Sequence, residues 1–247
     1  MENKRIDLIS AKKNTDFYDG KHDISKLGAG DSFYIAKFLK KDHQELFDKI
    51  MDEANFKQMF NLNLSAISCS DGQPIPRLVT AQCDYLKATS AIYRMPGCNE
   101  KNIDTTPWTS TVDYVRKLAS EEIKQNLNHC VLSLYRDEND SLAFHKDKLL
   151  DLSDNSLILS ISFGATRPFL FSDGRNKQTI LLRPGSLLAI GPRTNKMYMH
   201  SIPKISEPVG PRISLSLRSV DSYISISTNN SFEITKVKNF KQKTILL

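Results

Sequence analysis

The sequence predicts an α+β protein with helices packed on one side of a β-sandwich or barrel. Two observations predict it. Two stretches of helical apolar periodicity come first, and after them the period changes to a succession of short runs rich in branched and apolar residues. Those runs are bounded by Asn-Asp, Gly, Asp-Gly and Pro-Gly, the punctuation of strand ends. At 247 residues the chain is near the upper size at which a β-rich domain stays single.

In chain order, residues 1–30 read as a polar N-terminal extension closing on the loop "LGAG". The body, residues 31–221, opens with a short strand around Phe33 to Ile35 and a helix from about Lys41. There Leu46, Phe47, Ile50, Met51 and Ala54 form one apolar face. Around "SDGQPIPRL", Gly72, Pro74 and Pro76 predict irregular structure. The second helix follows "TPW": Ser110 and Asp113 read as a capping box, and Val112, Val115, Leu118, Ala119 and Ile123 as its buried stripe. Trp108 reads as core. The strands then run through "HCVLSLYRD", "SLILSISFG", "RPFLFSD", "QTILL", "SLLAIG" and "RISLSLRSV". Residues 222–247 read as a basic extension, a hairpin around Asn229-Asn230 followed by a solvated end.

Composition excludes some functions. No apolar run is long enough to span a bilayer, and the polar start "MENKRIDLISAKKN" lacks the apolar core of a secretory signal. Cys69, Cys83, Cys98 and Cys130 are scattered with no CxxC pair, which argues against a structural zinc site and for reduced thiols. A cytoplasmic or nuclear, non-secreted, monomeric protein is expected. A net charge of +6 favours encounters with polyanions such as nucleic acid, although many basic enzymes bind none.

Three stretches carry chemistry. In "SLAFHKDKLLD", His145 and Asp147 are two apart, so an extended segment points both to one side. Alone, the pair is a weak signal that reads first as a surface ion pair and only second as two metal ligands. In "MYMHSIPK", His200 follows a strand and a short connection. In "RISLSLRSV", Ile213, Leu215 and Leu217 make one apolar face, and Arg212, Ser214, Ser216 and Arg218 make the other. A solvent-facing strand has the same pattern, but so does the lining of a pocket for an anion. Two His and a carboxylate form the facial triad of non-haem Fe(II) oxygenases, which leaves three positions open on the metal. A keto-acid bound there needs a fixed cation for its far carboxylate, and arginine matches that geometry.

With these residues in this order, the chain resembles the AlkB-like family of Fe(II)/2-oxoglutarate-dependent dioxygenases from about Asp31 to Val220. "PRLVTAQCDY", "PWT", "LSLYRDENDSLAFHKD", "SISFGATRPFLF", "LRPGSLLAIGP" and "GPRISLSLRSV" are similar to successive family segments. The resemblance implies a double-stranded β-helix (jelly-roll) core with supporting N-terminal helices. It implies Fe(II) on His145, Asp147 and His200, with 2-oxoglutarate and O2 as cosubstrates. Arg212 would pair with the distal carboxylate of 2-oxoglutarate, Arg218 would lie near its other end, and Tyr135 would hydrogen-bond it. The implied activity is oxidative demethylation of N-alkylated bases in DNA or RNA, with release of formaldehyde, succinate and CO2. His129 reads as structural, and His22 and His43 as surface residues.

The departures from the family pattern concern the pocket. Ser133 and Ser214 stand where the family has asparagines, which predicts weaker 2-oxoglutarate binding. Lys148, Leu149 and Leu150 replace acidic residues that can bond the exocyclic amine of a base. Gln82 and Cys83 stand where the family often has a stacking aromatic, with Tyr85 or Tyr93 as substitutes. Arg77 and Arg94 are expected to contact nucleic acid. A protein side chain or small molecule as substrate, or a non-catalytic nucleic-acid-binding module, are the alternatives these departures leave open.

Overall fold

The structure, a computed structural model, describes residues 5, 16–40, 42–60, 72–86, 89–94, 105–226 and 232–237. In chain order its first strands are β1 (Asp16–Tyr18), β2 (Ile24–Leu27), β3 (Ser32–Ile35), β4 (Lys57–Phe60), β5 (Pro74–Cys83), β6 (Tyr85–Leu86), β7 (Thr89–Ala91) and β8 (Thr105–Thr106). There follow β9 (His129–Tyr135), β10 (Leu142–His145), β11 (Ile158–Gly164), β12 (Arg167–Ser172) and β13 (Lys177–Leu182). The last are β14 (Leu187–Ile190), β15 (Met199–Ile202), β16 (Arg212–Arg218), β17 (Ser222–Ile226) and β18 (Phe232–Lys236). Three helices, α1 (His43–Glu53), α2 (Ser110–Ile123) and α3 (Pro192–Met197), complete the described elements.

A nine-stranded sheet runs β2-β3-β14-β11-β16-β9-β5-β4 with β8 beside β5, and a five-stranded sheet runs β1-β13-β12-β15-β10. Together they form the double-stranded β-helix. The alternation in β16 decides its two faces. Ile213, Leu215 and Leu217 are fully buried against the side where α1 and α2 pack, with Phe47, Ile50, Val112, Val115 and Ala119. Each such side chain contributes roughly 1.5–3 kcal/mol by leaving water. The opposite face of the same strand looks into the space between the two sheets, which Val79, Val131, Tyr135, Phe169 and Phe171 help to fill.

Several local expectations are corrected. Met51 is exposed, so the α1 stripe keeps Phe47 and Ile50, with Ala54 buried at the C-cap and Leu46 half-buried. Pro74 and Pro76 lie inside β5, not in irregular chain. They precede the first β5–β9 pair, Leu78 with Leu134, so neither removes a hydrogen bond from the central ladder. Thr109, not Ser110, is the α2 N-cap, and no side chain of α2 caps it. Glu53, from the end of α1, does so instead: its carboxylate accepts from the Thr111 backbone N–H at 3.1 Å and hydroxyl at 2.6 Å. A carboxylate there answers the positive end of the helix.

The stretch before Asp31 contributes β1, which pairs in parallel with β13, and β2, which pairs with β3. After residue 221, β17 pairs antiparallel with β18 and also with β7 in a four-stranded sheet. Asn229, Asn230, Cys69, Cys98 and the last ten residues lie outside the described residues.

Candidate active site

The β10–β15 pairing sets His145 directly opposite His200, which brings their rings to a centroid distance of 4.2 Å. Asp147 follows two residues after His145, past the end of β10. The ligand atoms of His145, Asp147 and His200 all lie within 4.8 Å of one another. His200 Nε2 stands 3.8 Å from Asp147 Oδ2, too far for a hydrogen bond and within the span of two ligands on one ion.

Each ligand is held. His145 Nδ1 donates to the Ala143 carbonyl at 2.9 Å, which leaves Nε2 with its lone pair free. Phe169 stacks on His200 at 5.4 Å. The other Asp147 oxygen, Oδ1, accepts from the Tyr93 hydroxyl and from Arg218 Nη2, both at 2.7 Å. The backbone of Asp147 is clamped by Asn195 in α3, which accepts from the Asp147 N–H and donates to its carbonyl, both at 3.0 Å. Asn195 escaped the sequence reading because α3 was expected as a plain connection. Pro192 at the first turn was the available signal. At the N-terminus of α3 the Asp31 carboxylate accepts from the Arg193 and Thr194 N–H groups at 2.7 and 3.1 Å. Gly191 is required there, since a Cβ would stand 2.3 Å from that carboxylate.

Protonation suits metal binding. Burial pushes the His200 pKa down to about 3, aided by His145, and burial likewise lowers that of His145. Both rings are therefore neutral, as ligands must be. Burial would raise the Asp147 pKa, but the Arg218 guanidinium beside it, with the Tyr93 hydrogen bond, overrules it and holds the carboxyl well below its ordinary value. Two neutral imidazoles and one ionised carboxylate are a fitting donor set for Fe(II).

The triad opens on a cavity of about 350 Å³ between the two sheets. Arg212, Ser214, Ser216 and Arg218 all line it, which resolves the two readings of the β16 polar face in favour of the pocket. Arg212 is 1% exposed, and its Nη2 donates to Ser162 Oγ at 2.9 Å, while Nε and Nη1 have no hydrogen-bond partner. Burial lowers its pKa to about 10, leaving it a cation at neutral pH. Tyr135 sits beside it, opposite Arg212 in the β9–β16 ladder, with the guanidinium carbon 5.2 Å from the ring centre. Ser133 and Ser214 face each other in the same ladder, and Ser214 Oγ lies 3.0 Å from Ser160 Oγ.

The expected substrate residues divide. Arg77 and Tyr93 line the cavity. Gln82 does not: β5 turns Ile75, Arg77 and Val79 inward, and an even-numbered residue falls on the helix side. There Gln82 Oε1 accepts from the Thr109 N–H at 3.0 Å. Tyr85 is exposed and donates to the Thr105 carbonyl. Arg94 is paired with the buried Asp151 and also donates its backbone N–H to it at 2.8 Å. Lys148 and Leu149 are exposed and outside the cavity lining. Trp108 is half-buried and donates to Asp84 Oδ1 at 2.6 Å. His129 is buried within β9, in line with a structural role.

Comparison with known proteins gives the same answer as the geometry. The family model of the 2OG-Fe(II) oxygenase superfamily matches residues 32–218. The mouse DNA oxidative demethylase ALKBH2 is 33% identical over 124 residues, 46% of this chain and 52% of that one. The human DNA oxidative demethylase ALKBH2 is 27% identical over 201 residues, covering 77% of this chain and 73% of that one. Among solved structures, OsALKBH1 superposes with a TM-score of 0.55 at 14% identity, over 76% of this chain and 98% of that one, a likeness of fold.

Proposed function

Because this chain belongs to the 2OG-Fe(II) oxygenase superfamily as an AlkB-like member, with Fe(II), 2-oxoglutarate and O2 as its cofactors, we propose that it oxidatively demethylates N-alkylated bases in DNA or RNA. One observation carries the reading. The same cavity holds a His-Asp-His donor set and, from β16 of the other sheet, the guanidinium of Arg212 with two nitrogens unpaired.

His145, Asp147 and His200 would hold the iron, and Arg212 would receive the distal carboxylate of 2-oxoglutarate as a bidentate fork. Iron held there would supply the oxidation by O2, coupled to conversion of 2-oxoglutarate to succinate and CO2, that turns an N-methyl group into N-hydroxymethyl and so releases formaldehyde. Tyr93 and Arg218 keep Asp147 ionised and oriented. Tyr135, beside Arg212, would hydrogen-bond the cosubstrate. A base must leave its stack to enter a cavity this enclosed. The net charge of +6 supports phosphate contacts that do not read sequence, and the names of the ALKBH2 relatives support DNA as one target.

The test is mass spectrometry of single- and double-stranded DNA and RNA oligonucleotides carrying single N-methyl bases, incubated with Fe(II), ascorbate and 2-oxoglutarate. Loss of a methylene mass that His145→Ala cannot produce is the expected result. Succinate formed without change to any oligonucleotide would transfer the substrate to a protein side chain or small molecule. Neither activity would leave a non-catalytic binding module.

A further inference from the structure

A second cleft, of about 520 Å³, lies apart from the metal triad where three loops meet. Lys21 and His22 come from the β1–β2 loop, Lys37 and Lys40 from the β3–α1 connection, and Arg183 from the turn after β13, while His43 opens α1. None of the described lining residues is acidic, so the cleft suits an anion. Its frame is fixed by the protein itself. The buried Tyr34 hydroxyl donates to the Gly20 carbonyl at 3.2 Å and accepts from the Arg183 N–H at 3.4 Å. The Leu39 N–H donates to the Gly185 carbonyl at 2.9 Å, and a Cβ on Gly20 would collide with the Leu181 carbonyl. Arg183 Nε donates to the Asp19 carbonyl at 2.8 Å, and its two Nη groups have no hydrogen-bond partner among the described residues. Of the neighbouring carboxylates, Asp19 faces Lys21 at 3.5 Å and Asp23 accepts from the Ala36 N–H at 2.7 Å. Lys37, Lys40 and Arg183 therefore keep donors free.

The register places this cleft relative to the catalytic cavity. Paired residues Ile35, Leu187, Ile161, Leu215, Leu132 and Thr80 run straight across the nine-stranded sheet. They put the β3–α1 connection at the same end of that sheet as Pro74 and its partner Phe60, an exposed residue that borders the catalytic cavity. Six strand spacings separate β3 from β4, an arc of roughly 29 Å. Along a duplex that is about eight base pairs. We propose that the cleft is a phosphate exosite, which holds the nucleic-acid backbone several nucleotides away from the base that enters the cavity. The proposal rests on the nucleic-acid reading above and extends it with a second point of attachment. A guanidinium fork and two ammonium groups match phosphate oxygens, and such contacts set position without reading sequence.

The experiment measures binding of an unmodified duplex of about 24 base pairs, long enough to cover that arc, by fluorescence anisotropy across a salt series. The test variant combines Lys37→Gln and Lys40→Gln, both at exposed positions. A control combines Lys49→Gln and Lys117→Gln, which removes the same charge from α1 and α2, where both lysines are ion-paired. Two lost phosphate contacts should make the slope of log K against log salt shallower by about 1.8 and weaken binding on the order of tenfold or more at physiological salt. The control pair should change neither. An unchanged slope in the test variant, or an equal change in the control, overturns the proposal, while demethylation of oligonucleotides, measured separately, leaves the catalytic reading standing. Inorganic phosphate, titrated at constant ionic strength, tests the other source of the same chemistry. If it binds the wild type and not the variant while both hold the duplex alike, the cleft belongs to a free anion and the proposal is overturned. A wild type that binds no oligonucleotide removes the nucleic-acid reading and this proposal together.

Discussion

The guanidinium of Arg218 lies 4.2 Å over the ring of Tyr93, and both residues donate to the same oxygen of Asp147 at 2.7 Å. The arrangement leaves Oδ2 as the oxygen that faces His200. Tyr93, expected as a stacking surface for a base, lines the cavity and also holds the carboxylate of a candidate metal ligand. Burial, then the neighbouring Asp147, pushes its hydroxyl pKa far up, so it stays a donor.

Tyr93→Phe removes one of those two donors and lets the carboxylate rotate. Outer partners of metal ligands are worth about 10- to 100-fold in affinity. Anaerobic Fe(II) or Mn(II) titration should show a loss of that order, with the folded structure retained. An unchanged affinity would reduce Tyr93 to packing.

Arg212→Lys keeps the charge and loses the fork. Apparent affinity for 2-oxoglutarate should fall about tenfold or more, since a point charge cannot reproduce a bidentate pair. Metal affinity should be unaffected, because Arg212 touches none of the three ligands. The split between the two titrations is the check.

Asn195→Ala leaves the N–H and carbonyl of Asp147 unpaired in a buried place. Each orphaned group costs about 1–3 kcal/mol. Urea denaturation should show a loss in that range, and metal binding should weaken along with it. A stability equal to wild type would mean that water replaces the amide.

His129 gives a pH dependence. Burial, then Arg218, depresses its pKa from 6.5 to about 3, so the fold holds it neutral while the unfolded chain takes a proton below 6.5. The unfolded state then binds more protons, and stability rises with pH in that window. It is full above about 6.5, falls as the pH drops, and levels off near 3. One such group contributes a slope of about 1.4 kcal/mol per pH unit. His129→Gln should flatten the stability curve by that amount between pH 4 and 6. A slope that does not change would place the titration elsewhere.

The chain's local patterns already contained the ligand order His145, Asp147, His200 and the two-faced β16, because a period of two assigns every side chain in a strand to one side. They also contained α1, α2 and the hairpin of β17 and β18. What they could not contain was who stands beside whom across long separations. Tyr93 meets Asp147 from 54 positions away, Asn195 from 48, and Glu53 meets Thr111 from 58. The same limit explains the misplaced Gln82 and the capping box. Residue type suggested a role for each, but only the pairing of β5 with β9 and the packing of α1 against α2 set the actual partner. Sequence alone determined the chemistry on offer, two imidazoles, a carboxylate and two arginines on alternating strands. Tertiary structure decided which oxygen of Asp147 faces His200 and which nitrogens of Arg212 are left without a partner, because burial and pairing are properties of neighbours that the chain brings together only on folding.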